Sequence, residues 1–175
     1  MLASPDDRMI FRGRTTMWLG NRGFSGGTAS LRLRSSVEPR GMVWMAGVAL
    51  DAVSARAPLD LWPAGDTGAA RATLLRAHPV LSNGRIRVSR IGRIVENGSL
   101  EGQRWWRIAG PIRGAAAAFV DAARTSSRVD RGHLQNLDAG IGARFTVSGL
   151  TGILRIDLAT GSDGASALSF VYVVE

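Results

Sequence analysis

The sequence predicts an all-β chain, an antiparallel transmembrane β-barrel segment, and three stretches near the C-terminus predict it most directly. Residues 138–147 put Ala139, Ile141, Ala143, Phe145 and Val147 on one parity and Asp138, Gly140, Gly142, Arg144 and Thr146 on the other. Residues 152–159 oppose Leu154, Ile156 and Leu158 to Arg155 and Asp157, and residues 166–174 alternate in the same way. Successive side chains of a strand point to opposite faces, so an apolar row backed by a charged row describes a wall between two unlike media. A closed barrel in lipid has that pattern, with its backbone groups paired from strand to strand. The expected orientation follows: Ile141, Phe145, Leu154, Ile156 and Leu158 towards lipid, and Arg144, Arg155 and Asp157 towards the lumen.

The remaining elements follow in chain order. Residues 8–19 set Arg8, Arg12, Arg14 and Thr16 against Met9, Phe11, Met17 and Leu19, and residues 20–27 (GNRGFSGG) form a turn-rich connection. Residues 28–38 repeat the two-faced pattern, with Leu31, Leu33 and Val37 opposing Arg32, Arg34 and Glu38. A turn over 39–41 leads into the more uniformly apolar strand 42–53. Alternation then lapses over 56–84, a span well beyond the usual hairpin connection of about two to five residues. That loop carries Pro58, Pro63 and Pro79 together with the apolar anchors Leu59, Leu61, Trp62, Leu74 and Leu75, which suits a loop that packs against something.

Alternation resumes over 85–96. Asn97-Gly98 is a strong hairpin signal, so either it turns between two strands or it marks a bulge in one long strand running towards Ile108. Residues 114–124 (GAAAAFVDAAR) read as a strand with Ala116, Ala118, Val120 and Ala122 on one side and Phe119 and Asp121 on the other. The Ala run suits a helix, but the Gly-Pro-Ile-Arg-Gly before it makes a poor helix N-cap. In all, about eight or nine strands and one long loop are expected in a single domain spanning 1–175.

Composition permits this reading and bounds the alternatives. The chain has 175 residues, 45% of them hydrophobic, which is enough for one folded domain. Every one of its 22 basic residues is Arg, and the formal net charge is +8. Charge of that sign admits nucleic acid, anionic lipid and lipopolysaccharide phosphates alike. The absence of Cys excludes a disulfide framework and thiol catalysis. No run of about 18 apolar residues offers a transmembrane helix. Residues 1–10 (MLASPDDRMI) lack the basic start, apolar centre and cleavage site of a signal peptide, so an exported protein is expected to continue upstream of this chain.

Several weak motifs in one order resemble the BamA/TamA-like outer-membrane assembly barrels, the bacterial surface antigen family. Leu75-Arg76-Ala77-His78-Pro79 resembles the Leu-Arg-Gly-Tyr-Pro element of that family's long extracellular loop. Residues 100–106 (LEGQRWW) resemble the strand that follows it, and 118–123 (AFVDAA) the Phe-x-Asp-x-Gly strand after that. Residues 139–145 (AGIGARF) and 152–159 (GILRIDLA) are similar to its Gly-rich penultimate strands. The resemblance covers roughly 75–174. Ala77 and His78 depart from the family's Gly and aromatic residue, and the chain ends Val173-Val174-Glu175 where the family ends on an aromatic.

The resemblance implies the C-terminal half of a sixteen-stranded barrel. It implies a bacterial outer-membrane location and a part in the insertion, assembly or translocation of proteins there. Its partners would be outer-membrane lipid, lipopolysaccharide and unfolded or translocating β-barrel substrates, with no nucleic acid, no enzyme activity and no cofactor. It further implies that the loop Arg76 folds into the lumen to meet Glu101 and Asp121. Leu168, Phe170, Tyr172 and Val174 would then line one side of a lateral seam at which substrate strands are templated by an unpaired edge.

Two further sets of residues have open readings. Trp18, Trp44, Trp62, Trp105, Trp106 and Tyr172 suit either aromatic girdles or ordinary sheet packing. Gly140, Gly142, Gly149 and Gly152 suit strand bending or, for the latter two, a simple turn. Glu101 and Arg104 differ in parity, so one of them must face lipid unless a bulge intervenes.

Catalytic chemistry has little to stand on, since His78 and His133 are the only histidines, no metal-ligand spacing occurs and no Gly-x-Ser-x-Gly elbow is present. An outer-membrane lipid enzyme is one alternative. The other is a soluble Arg-rich β domain whose arginines track nucleic-acid phosphates. Carboxylates interleaved with Arg on the polar rows disfavour the second, because a phosphate groove excludes them and a lumen balances them.

Overall fold

A computed structural model describes residues 2–3, 8–19, 23–63, 75–78, 81–82, 85–86, 91–128, 134–149 and 151–174. The chain is all-β, with one antiparallel sheet in sequence order: β1 (Leu2–Ala3), β2 (Met9–Trp18), β3 (Phe24–Arg34), β4 (Gly41–Val53), β7 (Gly92–Ala109), β8 (Ile112–Arg128), β9 (Leu134–Val147), β10 (Ile153–Gly161) and β11 (Ser166–Val173). A separate short hairpin pairs β5 (Leu81–Ser82) with β6 (Arg85–Ile86). Among the described residues β1 and β11 are the two edges and do not pair with each other, so the sheet is open. No helix among them is long and apolar enough to cross a membrane, which leaves crossing by strands untouched.

Four expectations change. Phe24–Gly27 belong to β3 instead of a turn, because Ser25, Gly26 and Gly27 pair with Met17, Thr16 and Thr15; here the backbone continues its ladder through glycines whose local preference is for a turn. Asn97-Gly98 lies within one long strand that runs past Ile108, the second of its two expected readings, but without the bulge. Asn97 pairs with Ala49 and Ala123, and Gly98 with Val48 and Ala122, in unbroken register, so pairing on both edges overrides the dipeptide's turn preference. Arg85–Ile86 lie in the short hairpin, and the long strand begins at Gly92. The connection from β4 therefore extends past Gly84. Finally, β9 begins at Leu134, four residues before the first charged alternation. The Ala-rich stretch is a strand, as its parity predicts.

Register aligns the faces across the sheet. One face carries Phe170, Ile156, Ala143, Ala116, Arg104 and Met42 in a single row. The next row on that face is Leu168, Leu158, Ile141, Ala118, Gly102 and Trp44. This outer face is open: Ile141 is 64% exposed, Leu158 53% and Phe170 66%. The opposite, inner face of β7–β10 is closed by loop residues, and there Leu75, Ala77 and His78 are buried with Phe119 and Ala159. Glu101 falls on the inner face and Arg104 on the outer one, with no bulge between them, so Arg104 is the charged residue of the two that shares the apolar side.

Candidate functional site

The inner face of β7–β10 gathers charges that the alternation had placed on one parity. Register brings Glu101 opposite Phe119 and Phe119 opposite Gly140, while Asp157 lies opposite Gly142 and Arg155 opposite Arg144. Arg144 has no exposed side-chain surface. Its Nε and Nη2 each stand 2.9 Å from Glu101 Oε1, and its Nη1 stands 2.5 Å from Asp157 Oδ1. Arg155 joins the same two carboxylates at 3.3 and 3.2 Å. Gln103 donates to Glu101 Oε1 and accepts from the buried Trp105 indole, both at 2.7 Å.

Arg76 enters this cluster from the loop. Its Nη1 lies 2.7 Å from Glu101 Oε2, its Nε 2.9 Å from Asp121 Oδ2, and its Nη1 3.7 Å from Asp157 Oδ2. The guanidinium also lies 3.6 Å from the centroid of the Phe119 ring, a stacked cation–π geometry. Three guanidiniums, Arg76, Arg144 and Arg155, thus meet three carboxylates, Glu101, Asp121 and Asp157. Burial at such density is tolerable because the charges cancel and fork geometry satisfies several donors at once.

Glycine makes the cluster possible sterically. A Cβ on Gly142 would lie 2.7 Å from Arg144 Nη1 and collide with Asp157 Oδ1, and one on Gly140 would lie 2.5 Å from the Phe119 ring. These two positions therefore clear space for the guanidinium and the ring. Gly149 and Gly152, with φ of 92° and 116°, serve the turn between β9 and β10.

A second anchor lies two residues along the loop, at a residue for which sequence reasoning found no role. His78 Nδ1 stands 2.7 Å from Asp138 Oδ1 and Nε2 stands 2.8 Å from Asp163 Oδ1, with Asn136 at 3.4 Å. The Ala77 amide donates to Asp138 Oδ2 at 2.7 Å. Gly161 leaves room for the ring, since a Cβ there would meet it. The available signal was parity: Asp138 shares a row with Arg144, so a polar group placed two residues after Arg76 has a carboxylate within reach.

The other expected residues are placed as follows. Leu168, Phe170, Tyr172 and Val174 are exposed, the first three on the outer face of β11, which pairs only with β10 among the described residues. The Tyr172 hydroxyl donates to the Thr151 carbonyl. Trp44 and Trp106 are half exposed on the outer face, whereas Trp105 is buried inside and the Trp62 indole donates to Ala57 O in the loop. Trp18's side chain and His133 lie outside the described residues. Among the described residues no group of three or more His, Cys, Asp or Glu is arranged to hold a metal ion. No family model, curated protein or solved structure matches the chain.

Proposed function

We propose that the chain is a membrane-spanning β-barrel segment of the bacterial outer membrane, half of a larger barrel, that takes part in the insertion, assembly or translocation of proteins. The observation that carries this reading is the inversion of the two faces of β7–β11. The face with buried charges is closed over by a loop, and the face with Ile141, Leu154, Leu158, Leu168 and Phe170 is open. In water that arrangement exposes the apolar surface and hides the polar one; in lipid the apolar residues of the outer face meet a compatible medium, with Arg104, two residues from Trp106 at the edge of the zone, the charged exception.

The dimensions agree. The outer row Tyr172–Leu154–Phe145–Gly114–Trp106 carries aromatics at both ends, and the exposed pair Glu96 and Arg124 ends the apolar zone ten residues back along β7. At about 3.3 Å per residue and a tilt of about 40°, that zone is roughly 25 Å tall, the height of a barrel's apolar band. Connections at the Trp106 end are short, such as the two residues between β7 and β8, and the long one lies at the other end. Short turns belong on the periplasmic side and long loops outside.

Assembly or translocation rests on two further features: the backbone edge of β11, unpaired among the described residues, and a loop held inside by Arg76 and His78. An open edge can template an incoming strand by main-chain hydrogen bonds, with no cofactor and no covalent step. The test is fractionation of the full-length protein, which is expected in the outer membrane with heat-modifiable mobility in detergent. Recovery as a soluble species eluted by salt overturns the reading in favour of a nucleic-acid-binding domain.

A further inference from the structure

The inner face has a second half. On β2–β4 the same parity carries Arg12 opposite Ser30, Arg14 opposite Thr28, and Arg32 opposite Ile10 and Gly47. Arg12, Arg14 and Arg32 are exposed, and they make no hydrogen bond or ion pair among the described residues. Arg8 and Arg34 extend the row towards the short-turn end, where the Arg34 amide donates to Arg8 O. Asp51, opposite Thr28, is the one carboxylate on this face of β2–β4 and has an interaction of its own. Three guanidiniums here thus face open space without the carboxylates that neutralise Arg76, Arg144 and Arg155.

We infer that this arginine strip is a docking surface for an extended polypeptide carrying carboxylates at alternate positions. Arg12 and Arg14 repeat at two residues along a strand, about 6.8 Å, which is the spacing of side chains on one face of any extended chain. Arg32 sits diagonally across from Arg12, within reach of a long side chain. Ser30 and Thr28 beside the arginines add hydroxyl donors, and Gly47 and Ala49 keep the floor low. A single-stranded nucleic acid has comparable charge spacing, but it needs aromatic platforms for its bases. Directly around Arg12, Arg14 and Arg32 the strip offers Ser, Thr, Gly, Ala and Ile, and the aromatic pair on the same parity, Trp18 opposite Phe24, lies four residues beyond Arg14 at the end of the strands. The partner's role as a chain in transit rests on the function proposed above; the charge complementarity does not.

The test uses the full-length protein in neutral detergent and three labelled probes of equal length: an alternating Glu-Ser peptide, an alternating Lys-Ser peptide and oligo-dT. Fluorescence anisotropy at low salt is expected to show binding of the Glu-Ser peptide, none of the Lys-Ser peptide and weaker binding of oligo-dT. Arg12→Gln/Arg14→Gln/Arg32→Gln should weaken the Glu-Ser peptide at least about ten-fold, and added salt should do the same. Should the triple variant fold poorly, Arg14→Gln alone, with its lysine counterpart Arg14→Lys restoring part of the affinity, reads the same contact. Unchanged affinity in the variants, or tighter binding of oligo-dT than of the acidic peptide, overturns the inference. Outer-membrane fractionation with no peptide binding removes this strip alone, whereas a soluble protein that prefers oligo-dT removes the proposed function as well.

Discussion

The wall formed by β2–β4 and the wall formed by β7–β10 read alike in sequence and differ on their inner faces. Both alternate apolar residues with Arg, and both leave the apolar row open, as Phe11, Leu33 and Val48 do in one and Ile141, Leu154 and Leu158 in the other. On the inner side, Arg144 is fully buried between Glu101 and Asp157, while Arg12, Arg14 and Arg32 stand exposed. The difference lies in what covers them. Loop residues Leu75–His78 lie on β7–β10, exclude water and bring Arg76; charges beneath such a cover must be matched one for one, whereas charges left in water need not be.

Charge deletion should separate the walls most strongly. Arg144→Met leaves Glu101 and Asp157 short of a partner in a buried site, and unfolding in detergent or bilayers should show a loss of about 3–5 kcal/mol. Arg12→Met, on the uncovered wall, should stay within about 0.5 kcal/mol. Similar losses at both positions would mean that the inner faces are equally covered.

The outer faces should instead behave alike. Ile141→Arg and Val48→Arg each place a guanidinium among exposed apolar residues, and in a bilayer each should cost about 2–4 kcal/mol. A cost confined to Ile141→Arg would restrict lipid contact to the C-terminal wall, and no cost at either site would remove the membrane assignment.

Glycine replacement gives a smaller contrast. Gly142→Ala drives a methyl group against Asp157 and Arg144 and should lower the denaturant midpoint by an amount equivalent to about 1–3 kcal/mol. Gly13→Ala meets nothing closer than the Phe11 ring at 3.7 Å and should be nearly neutral. The smallest effect is a coupling. Double-mutant cycles of Arg76→Ala with Asp121→Ala and with Glu101→Ala should return about 1 kcal/mol or more. Values near zero in both cycles would mean that the loop is held by His78 and apolar packing alone, and the two walls would then differ in cover but not in electrostatics.

Period two made most of the sheet legible. Parity alone separates Phe119 and Asp121 from Ala118 and Val120, and it puts Arg144, Arg155 and Asp157 on one side. What parity misses is where pairing overrides local preference: Gly26 and Gly27 look like a turn and Asn97-Gly98 looks like a hairpin, yet each is stitched into neighbouring strands. Turn propensity is worth little against a ladder of hydrogen bonds on both edges. Of the buried charges, Arg76, Glu101 and Asp121 came from resemblance to a family. For His78, parity places Asp138 on the inner face, but only the resting place of the loop brings the ring to it and to Asp163, 60 and 85 residues away.

The sequence by itself determined the class of secondary structure, the two faces of each strand and the absence of a thiol, since these depend on side-chain identity and a local repeat. Only the tertiary structure decided which arginines are neutralised and which remain free. That outcome depends on where the loop comes to rest and on the strand register, which sets Gly140 and Gly142 beneath Phe119 and Arg144; both are long-range facts that no local spacing encodes.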